Sequence, residues 1–125
     1  MQQSIYVEGF AHGNPIPAGC RIGNMLMTGV ISGKDARTGK RPETLEGQCE
    51  AVFKHVREIV EAAGMTTGDI IKMTVWLKDA ADRKALNVEW VKMFPDPQHR
   101  PARMVMPHAD EGDALILCDV TAIQS

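Results

Sequence analysis

The sequence predicts an α+β fold, a mixed sheet with two helices on one of its faces. Three observations carry that expectation. Residues 45–63 repeat apolar side chains at three- and four-residue steps, the period of a half-buried helix. "DIIKMTVWLK", residues 69–78, alternates and is rich in β-branched residues, as strands are. The order along the chain, strands, helix, strand, helix, strands, then sets both helices against a single sheet. At 125 residues and 13.7 kDa the chain suits one domain, 1–125, because dividing it would leave two marginal cores.

A short first strand is expected at residues 5–7, ended by "EGFAHGNPIPAG", which Gly and Pro interrupt. "CRIGNMLMTGVIS" (20–32) reads as two strand pieces around Gly23-Asn24, a two-residue signal of a tight hairpin. After the polar turn "GKDARTGKRP", Thr44 caps the first helix. Its buried face is Leu45, Cys49, Val52, Phe53, Val56, Ile59, Val60 and Ala63, and Gly64 ends it. In the following strand Ile71, Met73, Val75 and Leu77 are expected on one face, with Lys72, Thr74, Trp76 and Lys78 on the other. "DAADRKALNVEWVKMF" (79–94) gives the second helix, with Asp79 or Asp82 near its start, Leu86, Trp90, Met93 and Phe94 inward, and Pro95 and Pro97 as its stop. Two strands, 102–106 and 114–123, close the chain around the acidic turn "HADEGD".

Composition narrows the function classes. The formal net charge is -2 with Lys and Arg spread along the chain, which gives no electrostatic footprint for nucleic acid or an anionic membrane. No apolar run approaches the roughly 18 residues that span a bilayer, and "MQQSIYVEGF" has no basic segment followed by an apolar one, so a cytoplasmic protein is expected. Cys20, Cys49 and Cys118 form an odd, widely spaced set, neither a disulfide framework nor a metal motif. His99 and His108 flank the Arg103 segment without a Cys, Asp or Glu at ligand spacing, and no metal is expected. "HADEGD" lacks the oxygen spacing of a calcium loop, and "GVISGK" lacks the length of a phosphate-cradling loop.

Two helices cover only one sheet face, yet the last strand is apolar on both, with Ile116, Cys118 and Val120 on one side and Leu115 and Leu117 on the other. In so short a chain the second cover is expected from other copies, which makes clefts between subunits the natural places for a ligand. Arg103 stands inside an apolar strand between a proline and an acidic turn. A guanidinium there either anchors a ligand or snorkels to solvent and pairs with an acid such as Asp119 or Asp113.

"RIGNMLMTG", "DARTGK", "IVEAAGMTTGDIIKMTVWLKD", "LNVEW", "RPAR" and "CDVTAI" together resemble the Rid family, the reactive intermediate deaminases also called YjgF-like proteins. The resemblance runs from Ile16 to Ile123. It implies a chorismate-mutase-like fold, a homotrimer with a central barrel built from three sheets, and ligand sites in the intersubunit clefts. It also implies a small carboxylate-bearing ligand, and the hydrolysis of 2-imino and 2-enamino acids to 2-keto acids and ammonia without cofactor. Arg103 matches the family's carboxylate-binding arginine, Asn87 a polar cleft residue, and Val105 a position whose backbone N–H adds a donor. A planar guanidinium holds a carboxylate by two parallel charged hydrogen bonds, which fixes the imine carbon for attack by water.

Three positions depart from that pattern. Counting back from "CDVTAI", Leu117 takes the place of the acid that activates water; Ile16 replaces a cleft tyrosine, and Val30 a glycine whose carbonyl faces the ligand. Imine hydrolysis needs a proton relay, which leucine cannot supply. Asp119 shares a strand face with Leu117 and is the acid available to act in its place. Two functions are therefore expected: a cofactor-independent imine deaminase, or a non-catalytic trimer that senses or sequesters a keto acid.

Overall fold

The computed structural model describes residues 1–109 and 112–125. It contains β1 (Gln3–Ile5), β2 (Gly19–Ile22), β3 (Met25–Thr28), β4 (Ile31–Ser32), α1 (Leu45–Ala62), β5 (Ile70–Leu77), α2 (Lys84–Met93), β6 (Ala102–Pro107) and β7 (Ile116–Ile123). One sheet holds every strand in the order β1-β2-β3-β7-β5-β6, with β4 also paired to β7. Only β5 and β6 run parallel, joined by a crossover that contains α2; the other pairs are antiparallel. The two helices and mixed sheet are those the sequence predicts.

Local chemistry places the elements. Gly23 takes a left-handed φ of 56° in the β2–β3 turn, a conformation that a side chain would strain. Thr44 caps α1, its hydroxyl accepting from the Gly47 N–H at 3.1 Å. At the start of α2, Asp82 rather than Asp79 accepts from the Lys84 N–H, at 3.4 Å.

The boundaries differ from expectation where a side chain or proline intervenes. The first strand is Gln3–Ile5, not 5–7: Ile5 pairs with Gly19 and accepts from the Ala18 N–H, and Pro17, next along, has no N–H to continue the ladder. The last strand begins at Ile116 because the Leu115 N–H is taken by the side chain of Gln48. A 3-10 turn at Thr67–Asp69, in which Asp69 accepts from the Thr66 N–H, delays β5 to Ile70. A register shift between Ile70 and Lys72 then turns Ile71 outward, so Ile70 takes the buried place expected for Ile71. Asp110 and Glu111 of the expected "HADEGD" turn lie outside the described residues.

The core fills the space between the helices and one sheet face. Cys49, Val52, Phe53, Val56, Ile59 and Val60 of α1 and Leu86 of α2 pack with Met73, Val75, Leu77, Ile116, Cys118, Val120 and Ala122. Burial pushes the Cys49 thiol up to about 12 and raises that of Cys118 as well, so both act as small apolar residues. The opposite face carries no helix. Register puts Met25, Met27, Trp76, Met104, Met106, Leu117, Asp119, Thr121 and Ile123 there, and Met27 is 55% and Met104 48% exposed.

Candidate functional site

Arg103 lies on β6, an edge strand, and pairs in register with Met73, which points its side chain toward the helices. There it meets α2. Asn87 and Trp90, three residues apart, project from one side of that helix. The Asn87 Oδ1 accepts a hydrogen bond from the Arg103 Nη1 at 2.8 Å, and the guanidinium carbon sits 4.9 Å from the centre of the Trp90 ring. Trp90 in turn packs edge-to-face on buried Phe94, with centroids 4.8 Å apart, and the Arg100 Nε donates to the Phe94 carbonyl at 2.8 Å. A chain of fixed contacts thus holds the guanidinium by one edge and one face.

Among the described residues its charge has no counter-ion: the ion pairs are Arg37–Asp35, Arg41–Asp113, Lys92–Glu89 and His99–Asp96, and none includes Arg103. The acids considered from sequence are engaged elsewhere: Asp113 pairs with Arg41 at 2.8 Å, and Asp119 lies across the sheet. Burial lowers the Arg103 pKa from its ordinary value, and the like charge of Arg83 lowers it further. A half-buried, rigidly held cation beside another cation can pair with an anion by charged hydrogen bonds.

The other predicted site residues form a separate group. Leu117 pairs with Trp76 and Asp119 with Thr74 on the open sheet face. Burial raises the Asp119 carboxyl above its ordinary range, against the opposing pull of hydrogen bonds from Thr74 and the charge of Lys72. Val30 and Ile16 are exposed in neighbouring loops, tied by the Gly29 N–H donating to the Ala18 carbonyl at 3.0 Å. Val105 shares the face of Arg103 two residues on and touches the core. Arg103, Asn87 and Val105 are therefore brought together, and Leu117 with Asp119, but the sheet separates the two groups within one copy.

A cleft of about 750 Å³ between α1 and the N-terminal segment lies elsewhere. Tyr6, Glu8, Asp35, Arg37, His55 and Glu58 line it with mixed charge, and it contains none of the predicted site residues. Sequence reasoning assigned Trp90 to the buried side of α2 and missed its place under Arg103. The Asn87–Trp90 spacing was the available signal, but nothing in it says which strand the pair faces.

These features define an α+β protein with a half-buried guanidinium fixed by Asn87 and Trp90 at the edge of its sheet. The sequence model of the endoribonuclease L-PSP family matches residues 6–114, and the chain belongs to that family, the Rid or YjgF/RidA family. It is 34% identical over 82 residues to the 2-iminobutanoate/2-iminopropanoate deaminase of Escherichia coli K12, a match over 66% of this chain. The chain spans 64% of the length of that relative, slightly under two thirds. In structure it is similar to E. coli YjgF, with a TM-score of 0.87, 30% identity and coverage of 98% of this chain and 99% of the other. It is also similar to E. coli TdcF with bound serine, with a TM-score of 0.89, 28% identity and the same coverages of 98% and 99%.

Proposed function

We propose that residues 1–125 form a single Rid domain that binds a small carboxylate-bearing metabolite through Arg103 at a seam between identical copies. The observation that carries the reading is the guanidinium itself, half-buried and fixed by Asn87 and Trp90, with no acid partner among the described residues. A relative named for 2-imino acids and a similar structure holding serine support a ligand with a carboxylate beside nitrogen. The seam follows from register: Arg103 and the Leu117–Asp119 pair occupy opposite faces, so they share one site only if one copy supplies each half. In this proposal the apolar open faces of three copies close a central barrel, as in the chorismate-mutase-like arrangement. The setting is cytoplasmic; no described helix is long and apolar enough to cross a membrane.

Bound in this way, a 2-imino acid presents its C=N carbon to water. Water adds there, its oxygen bonding to carbon as one of its protons passes to the nitrogen and the C=N bond becomes single; the carbon–nitrogen bond then breaks as the new hydroxyl loses the second proton and the nitrogen gains it, giving a 2-keto acid and ammonia. Asp119 is the proposed proton carrier, a carboxyl that burial holds above its ordinary value. The Val105 backbone and Asn87 hold the ligand's acid end, while Ile16, Val30 and Leu117 wall the seam. The proposal invokes no metal or cofactor.

A second reading, a trimer that binds keto acids without turnover, is favoured by Leu117, which cannot move protons. Generating 2-aminoacrylate or 2-iminobutyrate in a coupled assay and following its decay separates the two. Acceleration over buffer that is lost in both Arg103→Ala and Asp119→Asn supports the deaminase. No acceleration, together with an Arg103-dependent rise in melting temperature on adding 2-oxobutanoate, supports the binder.

A further inference from the structure

Arg83 lies outside the proposed carboxylate site, one turn before Asn87. Arg83, Asn87 and Trp90 stand at i, i+4 and i+7 along α2 and its cap, one stripe of the helix, and the last two of them hold Arg103. Arg83 heads that stripe. Its Nε donates to the Ala80 carbonyl at 2.9 Å, which anchors this exposed side chain at the near end of its guanidinium. Among the described residues it forms no ion pair. The neighbouring acids are already used by the backbone, Asp79 accepting from the Ala81 N–H at 3.1 Å and Asp82 from the Lys84 N–H at 3.4 Å. Two guanidinium groups thus flank one carboxamide and one indole on a rigid helix–strand corner.

We infer that Arg83 is a second cationic subsite beside Arg103, which makes the site select 2-keto or 2-imino acids that carry a second carboxylate over monocarboxylates of the same length. The inference rests on Arg103 being the carboxylate anchor. One carboxylate takes the free edge of the Arg103 guanidinium, and the distal one reaches the Arg83 Nη groups. The opposition of the two like charges is relieved by a dianion and only half relieved by a monoanion. Arg83 binds and selects in this scheme; it takes no part in proton transfer.

The matched pair of 2-oxoglutarate and 2-oxopentanoate, five carbons each with and without the distal carboxylate, tests this by calorimetry on the intact protein at low and moderate salt. The dianion is expected to bind roughly three- to tenfold more tightly, the size of one partly exposed charged hydrogen bond, with the preference shrinking as salt rises. Arg83→Gln, an exposed change that leaves the core untouched, is expected to bring the two affinities together by weakening 2-oxoglutarate alone, whereas Arg103→Gln weakens both. Equal affinities in the unaltered protein, or a preference that survives Arg83→Gln, overturn the second subsite and leave the Arg103 anchor standing. Binding of neither acid overturns both.

Discussion

Asn87 offers the sharpest test of whether Arg103 waits for a ligand. Its Oδ1 already lies 2.8 Å from the guanidinium, so Asn87→Asp places a permanent carboxylate where a bound one would compete. Affinity for 2-keto acids is expected to fall by about tenfold or more, as the ligand must displace a charged hydrogen bond, while the melting temperature holds or rises. Calorimetry with a parallel thermal melt reads both; unchanged affinity would remove Arg103 from the site. Trp90 acts one step back. Trp90→Phe keeps a ring face under the cation and is expected to bind nearly as well, whereas Trp90→Leu loses about 0.5–2 kcal/mol of cation–π attraction. On the opposite face, Asp119 carries a pH signature. Its folded-state pKa lies above the ordinary value, so the stability it lends is full below that value and is lost as the pH climbs through the raised one. Asp119→Asn is therefore expected to raise the melting temperature at neutral pH, with a gain that shrinks as the pH falls toward the ordinary carboxylate range.

Gln48 joins elements that no periodicity connects. Almost fully buried on α1, its Nε2 donates to the carbonyls of Pro42 and Asp113 at 2.8 Å each, and its Oε1 accepts from the Leu115 N–H at 2.8 Å. Gln48→Ala leaves three backbone groups without their partner and is expected to cost about 2–4 kcal/mol in urea unfolding, more than an ordinary surface change. A loss below about 1 kcal/mol would mean that water replaces the amide. The same element shows what the sequence makes legible. The apolar stripe of α1 is readable from Cys49 to Val60 because burial on a helix has a fixed period. Gln48 and His55 lie buried beside it, unforeseen, because each is satisfied by loops distant in sequence: Gln48 as above, and His55 through a 3.0 Å contact of its Nδ1 with the Ser32 carbonyl. Alternation gave the correct faces of β7 and most of β5, but it carries a strict period of two through Ile71, where one bulge resets it. In the site, the residue type and strand position of Arg103 were readable. Its contact with Trp90 was not, since that depends on how a crossover helix lies over a parallel strand.

At the scale of the whole molecule, a single copy holds the two groups of the proposed site on opposite faces of its own sheet. The helix side carries the cation; the open side carries Leu117 and Asp119 among exposed methionines. An exposed apolar face is a surface that association can cover, and in the proposed trimer closure by a threefold axis buries all three open faces at once. Met25 and Met27 lie on that face, on β3, far along the sheet from β6. The double change Met25→Asp/Met27→Asp puts charge into the proposed barrel while leaving the core, α2 and Arg103 in place. The unaltered protein is expected to sediment at about three times its 13.7 kDa mass, and the double variant at the mass of one chain with its far-ultraviolet dichroism retained. If the ligand site is a seam, the monomeric variant also loses 2-oxobutanoate binding although none of its changes touches Asn87, Trp90 or Arg103. Undiminished binding by a folded monomer would place the whole site within one copy, and the register of β5 against β6 and β7 would then leave Asp119 without a role in it.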